Sequence, residues 1–218
     1  MRALYVTLCV VVLDQVTKLL VKGFTFPISD YYHQGMQLGQ SIPVLGDFLR
    51  ITFVENPGMA FGIDIGGRLF LTLFSFVASI GILYYIYHLR TEPFIVRFTL
   101  AMILGGAIGN LIDRVFYGVI FGEAHLFYGK VVDFIDMDFF HIDFLAIHIN
   151  RFAVFNVADA SVSTGIVLML LFYRKFSKIE EPETPDADAG YISADQNSSL
   201  DKTNESNNGV QSTSVNPL

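Results

Sequence analysis

Carboxylates and amides recur inside stretches that otherwise read as lipid-soluble. The segment "FNVADASVSTG", Phe155 to Gly165, opens an apolar run that continues to Tyr173, yet it carries Asn156 and Asp159 three positions apart. A charged side chain within a bilayer costs about 2.5–3.5 kcal/mol on insertion scales, so it needs a partner, water or a function. Two other apolar runs carry polar groups at a similar level. At 1.5 Å per residue, Asp14 falls roughly 12 Å, Asn110 roughly 9 Å and Asp159 roughly 10 Å from the outer ends of their runs. Spacing also groups them by face: Asp14 with Lys18 at i,i+4, Asn110 with Asp113 and Arg114 at i,i+3 and i,i+4, Asn156 with Asp159 at i,i+3.

The chemistry open to such residues is that of paired carboxylates. Two aspartates held close together share one proton, so one can take a proton from water while the other protonates a carbonyl or a leaving amine. Asp159 needs a partner arriving from the outer face, and "KVVDFIDMDF" offers Asp133, Asp136 and Asp138, which compete on composition alone. Other chemistries lack their parts. There is no H-E-x-x-H, no G-x-S-x-G around Ser161 or Ser163, and no glycine-rich phosphate loop. "DMDFFHIDFLAIHI" collects Asp136, Asp138, His141, Asp143 and His148, but an acidic, aromatic segment at a membrane surface is the commoner reading than a metal site. Bland readings also exist for Asp14–Lys18 as a structural ion pair, for Asp113–Arg114 as a helix-end pair and for Asn56 as a turn residue.

The elements that must position these groups follow from composition. The 218 residues are 52% hydrophobic and only 16% charged, where a soluble domain carries about a quarter. Mean hydropathy is +0.49. Four runs have about the 20 apolar residues a bilayer core requires: Ala3 to Lys22, Leu69 to Leu89, Phe94 to Phe116 and Phe152 to Tyr173. Asp14, Gln15 and Lys18 interrupt the first, so it reads as a retained helix, not a cleaved leader. Arg2, Arg90, Arg97, Arg174, Lys175 and Lys178 flank the runs on one side, which places both termini in the cytoplasm. "GGAIG" gives the third run a small-xxx-small face, Gly105 and Gly109, suited to a central helix.

The predicted fold is thus an all-α membrane protein of four transmembrane helices, with a small extracytoplasmic β-sheet and an extracytoplasmic loop or helix between helices 3 and 4. Residues 1–176 form the transmembrane domain, with extracytoplasmic insertions at about 23–68 and 117–151. "FLRITFVENPGMAFGI" reads as a strand pair broken at Pro-Gly. From 177 to 218 the chain is acidic and low in apolar residues, which predicts a disordered cytoplasmic tail. The net charge of −7 arises largely there, the lone Cys9 reads as a small buried hydrophobe, and no basic cluster points to nucleic acid.

Five motifs in order, "DQVTK" (Asp14–Lys18), "NPGMAFG" (Asn56–Gly62), "GGAIGNLIDR" (Gly105–Arg114), "VVDFID" (Val131–Asp136) and "FNVADAS" (Phe155–Ser161), resemble those of the lipoprotein signal peptidases, signal peptidase II. The resemblance spans about Val11 to Tyr173. It implies a bacterial inner-membrane aspartyl endopeptidase, monomeric and without metal or cofactor, with its active site at the outer leaflet. Such an enzyme removes the signal peptide of a prolipoprotein just before a diacylglyceryl-modified cysteine and is inhibited by globomycin-type antibiotics. By the resemblance, the catalytic pair is Asp133 and Asp159, and Asp14, Lys18, Asn56, Gly58, Asn110, Arg114 and Asn156 position substrate and support the pair. Two intervals, Arg114 to Asp133 and the 26 positions from Asp133 to Asp159, are longer than the family pattern. The rival class is a proton- or ion-coupled transporter, which also uses intramembrane Asp and Lys; a purely structural membrane protein is the other alternative.

Overall fold

The first helix, α1 (Ala3–Lys22), ends at Gly23, whose left-handed φ of 86° lets its N–H return to Leu19 O at 2.8 Å. The computed structural model describes residues 2–25, 31–60, 63–64, 67–138, 142–144, 147–149 and 153–172. After α1 come six short strands: β1 (Phe24–Thr25), β2 (Tyr32–His33), β3 (Ser41–Leu45), β4 (Leu49–Asn56), β5 (Met59–Ala60) and β6 (Ile63–Asp64). Two long helices follow, α2 (Gly67–His88) and α3 (Phe94–Ile120), the latter with a π-helical turn at Asp113–Tyr117. The chain then forms β7 (Val131–Met137), β8 (Ile142–Phe144), β9 (Ile147–Ile149) and α4 (Val157–Leu171).

Among the described residues, three helices, α1, α2 and α3, are long and apolar enough to cross a membrane. α4 is apolar but has 15 described residues, short of the expected run, whose ends at 152 and 173 lie outside the described residues. α2 buries only the seam of Thr72, Ser79 and Ile86, seven apart, and leaves Phe70, Leu73, Phe74, Val77 and Tyr84 exposed. An apolar face that wide suits lipid, not water. α3 is central: α1, α2 and α4 all pack on it. Glycines make this approach possible. A Cβ on Gly106 would lie 2.3 Å from Ala158 O, and one on Gly109 would lie 2.6 Å from Asp14 Oδ2.

Two expectations about the connections are corrected. The expected loop or helix between helices 3 and 4 instead supplies a strand: β7 pairs antiparallel with β4 to give a sheet ordered β3-β4-β7. The strand was hidden because Val131, Val132, Asp133 and Phe134 are all buried, so hydrophobicity does not alternate along it. The strand pair across Pro57-Gly58 does not form either. β4 pairs with β3 and β7, while β5 pairs with β6. Gly58, at φ 110°, donates its N–H to Asn56 Oδ1 at 2.9 Å, and that turn ends β4. A small core of Val21, Phe53, Tyr117, Val132 and Phe134 joins the sheet to the ends of α1 and α3. Lys130 Nζ, 2.7 Å from Glu55, and Lys22 pair with the same carboxylate and tie α1 to β4. The acidic stretch from 177 lies outside the described residues, as does His141.

Candidate active site

The start of α4 sets the geometry. Asn156 is its N-cap: Asn156 Oδ1 accepts from Asp159 N at 2.9 Å, and Asp159 Oδ2 accepts from Asn156 N at 3.2 Å. This reciprocal capping box satisfies two donors that a helix end otherwise leaves open. The helix therefore begins at Val157, and Asp159 stands in its first turn, not two turns in as the run from Phe152 implied. The preceding residues are held by β7, since Phe155 bridges Ile135 with N···O distances of 2.7 and 3.0 Å.

Asn156, fully buried, then connects the two candidate carboxylates. Its Nδ2 donates to Asp133 Oδ1 at 2.6 Å, while its backbone holds Asp159. Asn110 Nδ2 donates to the other Asp159 oxygen at 2.7 Å. The Asn56 side chain, its oxygen occupied by Gly58 N–H, also hydrogen-bonds Asp133. Asp133 is 2% exposed. Burial first, and the nearby Asp159 charge second, push its carboxyl up to about 7 against the hydrogen bonds from Asn156 and Asn56 and the Lys18 charge. A carboxylic acid that holds its proton near neutrality stands beside a second carboxylate. Asp136 takes another course: it accepts from Thr52 Oγ1 at 2.7 Å across the sheet.

Behind this pair lies a fully buried ion cluster. Lys18 Nζ sits 2.9 Å from Asp14, 2.8 Å from Asp113 and 2.9 Å from Asn110 Oδ1. Each carboxylate of the cluster also grips the backbone just before a candidate aspartate. Asp14 Oδ1 accepts from Ala158 N at 2.9 Å, and Asp113 Oδ2 accepts from Val132 N at 3.1 Å. One cation thus fixes the separation between β7 and α4. Gln15 Nε2 donates to Asp113 Oδ1 at 2.9 Å, and Tyr117 Oη donates to Gln15 Oε1 at 3.1 Å. The role of Asp113 as a partner of Lys18, in place of a pair with Arg114, was missed in the sequence, as were Gln15 and Tyr117. The signal was there in part: Lys18 has Asp14 at i,i+4 on its own helix, and Asp113 lies on the helix that the glycines bring close.

Arg114 is half-buried and makes a long contact of 3.5 Å to Asn110 O. Asp113, Asp133 and Asp159 all act on its charge. It owes its place to the π turn, which redirects the end of α3. The Arg114 and Val115 carbonyls accept from Gly129 N and Phe127 N at 2.9 and 3.1 Å. Glycine is required at 129, where a Cβ would fall 2.1 Å from Asp113 O. Single π turns recur at functional sites because they change the face on which side chains emerge.

Known proteins resemble this chain in sequence and in fold. The signal peptidase (SPase) II family profile matches residues 6–175. The lipoprotein signal peptidase of Porphyromonas gingivalis is 37% identical over 78% of this chain and 81% of its own length. That of Caldanaerobacter subterraneus subsp. tengcongensis is 38% identical over 77% of this chain and 92% of its own. A bacterial membrane enzyme solved by the in meso method at 2.3 Å resolution is 28% identical, superposes with a TM-score of 0.56 and covers 84% of this chain and 94% of that one. The chain, a multi-pass membrane protein by its helices and its fold, belongs to the signal peptidase II family.

Proposed function

We propose that this chain is an aspartyl endopeptidase of the bacterial inner membrane that cuts diacylglyceryl-modified prolipoproteins before the lipidated cysteine, with Asp133 and Asp159 as its catalytic pair. The observation that carries the reading is the convergence of these two carboxylates on Asn156 from a strand and a helix start. Asp133, pushed up to about 7, keeps the shared proton and gives it to the carbonyl oxygen of the scissile bond. Asp159, at a helix N-terminus and facing N–H donors, acts as base on the attacking water. The water oxygen bonds to the carbonyl carbon and its proton passes to Asp159. Collapse then breaks the C–N bond: the cysteine amine takes the proton from Asp159, one hydroxyl of the tetrahedral intermediate returns its proton to Asp133, and the signal peptide leaves as a carboxylic acid.

In this reading α4 is the fourth span, both termini are cytoplasmic, and the pair lies in the outer leaflet beneath the sheet, where a lipidated cysteine holds its peptide bond. Arg114, whose guanidinium makes one long contact among the described residues, and Asn56 and Gly58, at the turn beside Asp133, contact the substrate. The lipid-facing helices take the acyl chains, one copy suffices, and globomycin-type inhibitors occupy the same cleft. The alternative of an ion-coupled transporter is disfavoured by the family match. The test is cleavage of a diacylglyceryl prolipoprotein by purified protein in nanodiscs. Asp133→Asn and Asp159→Asn, each shown by thermal melt to be folded, are expected to lose about a thousandfold or more in kcat. Cleavage that survives either substitution would overturn the dyad.

A further inference from the structure

A second cleft, of about 920 Å³, opens at the end of the bundle opposite the aspartates. Its walls come from three elements that diverge there: the start of α1 (Ala3), the end of α2 (Leu83, Tyr84, Tyr87) and the turn into α3 (Arg90, Arg97). Arg97 and Asn110 are separated by roughly 20 Å along α3 at 1.5 Å per residue, so this cleft plays no part in the site above. Its walls are mainly apolar and lie within the lipid-facing surface of α2, where Leu83 and Tyr84 are exposed.

Its mouth is cationic. Arg90 Nη1 donates to Tyr87 Oη at 3.1 Å and its guanidinium stacks 5.2 Å from the Tyr87 ring, which holds the charge at the rim. Arg97 is the more informative group. Its Nε is fully buried and has no hydrogen-bond partner among the described residues. A buried donor left unsatisfied costs about 1–3 kcal/mol, more when charged, so an acceptor is called for. A guanidinium fork presents paired N–H groups that match the oxygens of a phosphate. An apolar slot between helices that ends in two arginines at the interface has the shape and charge of one phospholipid: an acyl chain between α1 and α2, a phosphate on the arginines. Two arginines with no compensating carboxylate among the described lining residues favour a net anionic headgroup over one that carries its own ammonium.

We propose that this cleft binds an anionic phospholipid from the leaflet facing the helix ends, with Arg90 and Arg97 on its phosphate. The binding does not depend on the peptidase reading. The test is native mass spectrometry of the full chain, delipidated in detergent and titrated with phosphatidylglycerol or phosphatidylethanolamine of the same acyl chains. Wild type should retain phosphatidylglycerol about tenfold better. Arg90→Gln with Arg97→Gln should bring the preference below about twofold, and Leu83→Trp, which fills the slot, should lower occupancy by both lipids. If the double variant does not fold, Arg90→Gln alone, at an exposed rim position, should cut the preference about threefold. Equal retention of the two lipids by wild type, a preference unmoved by Arg90→Gln, or an occupancy unmoved by Leu83→Trp would overturn the proposal. So would displacement of the lipid by inorganic phosphate, which would assign the arginines to a free anion.

Discussion

The two halves of α3 are built on different principles. Along the first, Val96, Leu100, Ala101 and Leu104 are buried among apolar neighbours, and Thr99 turns its hydroxyl back onto Ile95 O at 2.8 Å. Among the described residues, the polar contact there between helices is one hydroxyl, Thr7 to Ala101 O at 2.9 Å. Along the second half, Asn110, Asp113 and Tyr117 all bond to other elements through their side chains. The apolar half sets how firmly the bundle holds together. The polar half sets where two carboxylates stand. Dispersion is non-directional and tolerates small shifts, whereas buried ions and amides have a few partners at fixed distances.

The contrast can be broken by substitution. Lys18→Met leaves Asp14 and Asp113 buried against each other without their cation, which should cost about 3–5 kcal/mol of stability. Because those carboxylates hold Ala158 N and Val132 N, cleavage should be lost even in molecules that remain folded. Residual kcat within tenfold of wild type would show that the cluster does not position the pair. Leu104→Ala, in the other half, should cost a similar 2–5 kcal/mol or so by leaving a cavity. Its kcat at temperatures where it is folded should stay within about twofold of wild type. A thermal melt paired with a single-turnover assay measures both quantities.

pH offers a milder probe. In the proposed mechanism Asp133 acts as the acid and must be protonated; its carboxyl is pushed up to about 7, so the rate should fall as pH rises through that value. Stability carries the same sign. The unfolded chain ionises Asp133 near its ordinary value of 3.8 while the folded chain keeps the proton, so stability declines from there up to about 7 and then levels. Melts at pH 5 and pH 8 should show this drop in wild type and in Leu104→Ala. Asp133→Asn should lose the part of the drop that this group supplies.

How far the sequence discloses such a molecule depends on the kind of order involved. α1 was legible residue for residue, Ala3–Lys22, because a run of about 20 mainly apolar residues is a local signal even with Asp14, Gln15 and Lys18 inside it. The approach of Asp14, Asn110 and Asp159 was anticipated by counting along the apolar runs, although the count for Asp159 started at Phe152 and the helix starts at Val157. Composition and spacing left Asp133, Asp136 and Asp138 open as the partner of Asp159, and the resemblance alone named Asp133. The three-dimensional contacts separate the first two: Asp133 accepts from Asn156 Nδ2, whereas Asp136, three residues on and opposite Arg50, accepts from Thr52 Oγ1. Asn156 and Asp159 illustrate a signal present but read for another purpose. Their i,i+3 spacing at the head of an apolar run is a capping box, and read as such it places the helix start at Val157.

The bond from Ala158 N to Asp14 joins residues 144 positions apart. A ribosome adding about 5–20 residues each second needs roughly 7–30 s to make the intervening chain. Throughout that interval the first helix must sit in lipid before its later partners exist. Asp14 and Lys18, one turn apart and 2.9 Å from each other, neutralise one another within α1 alone. The newborn helix thus enters the bilayer with its charges already matched. The protease remains unassembled until the last helix arrives and takes one of those charges as its cap.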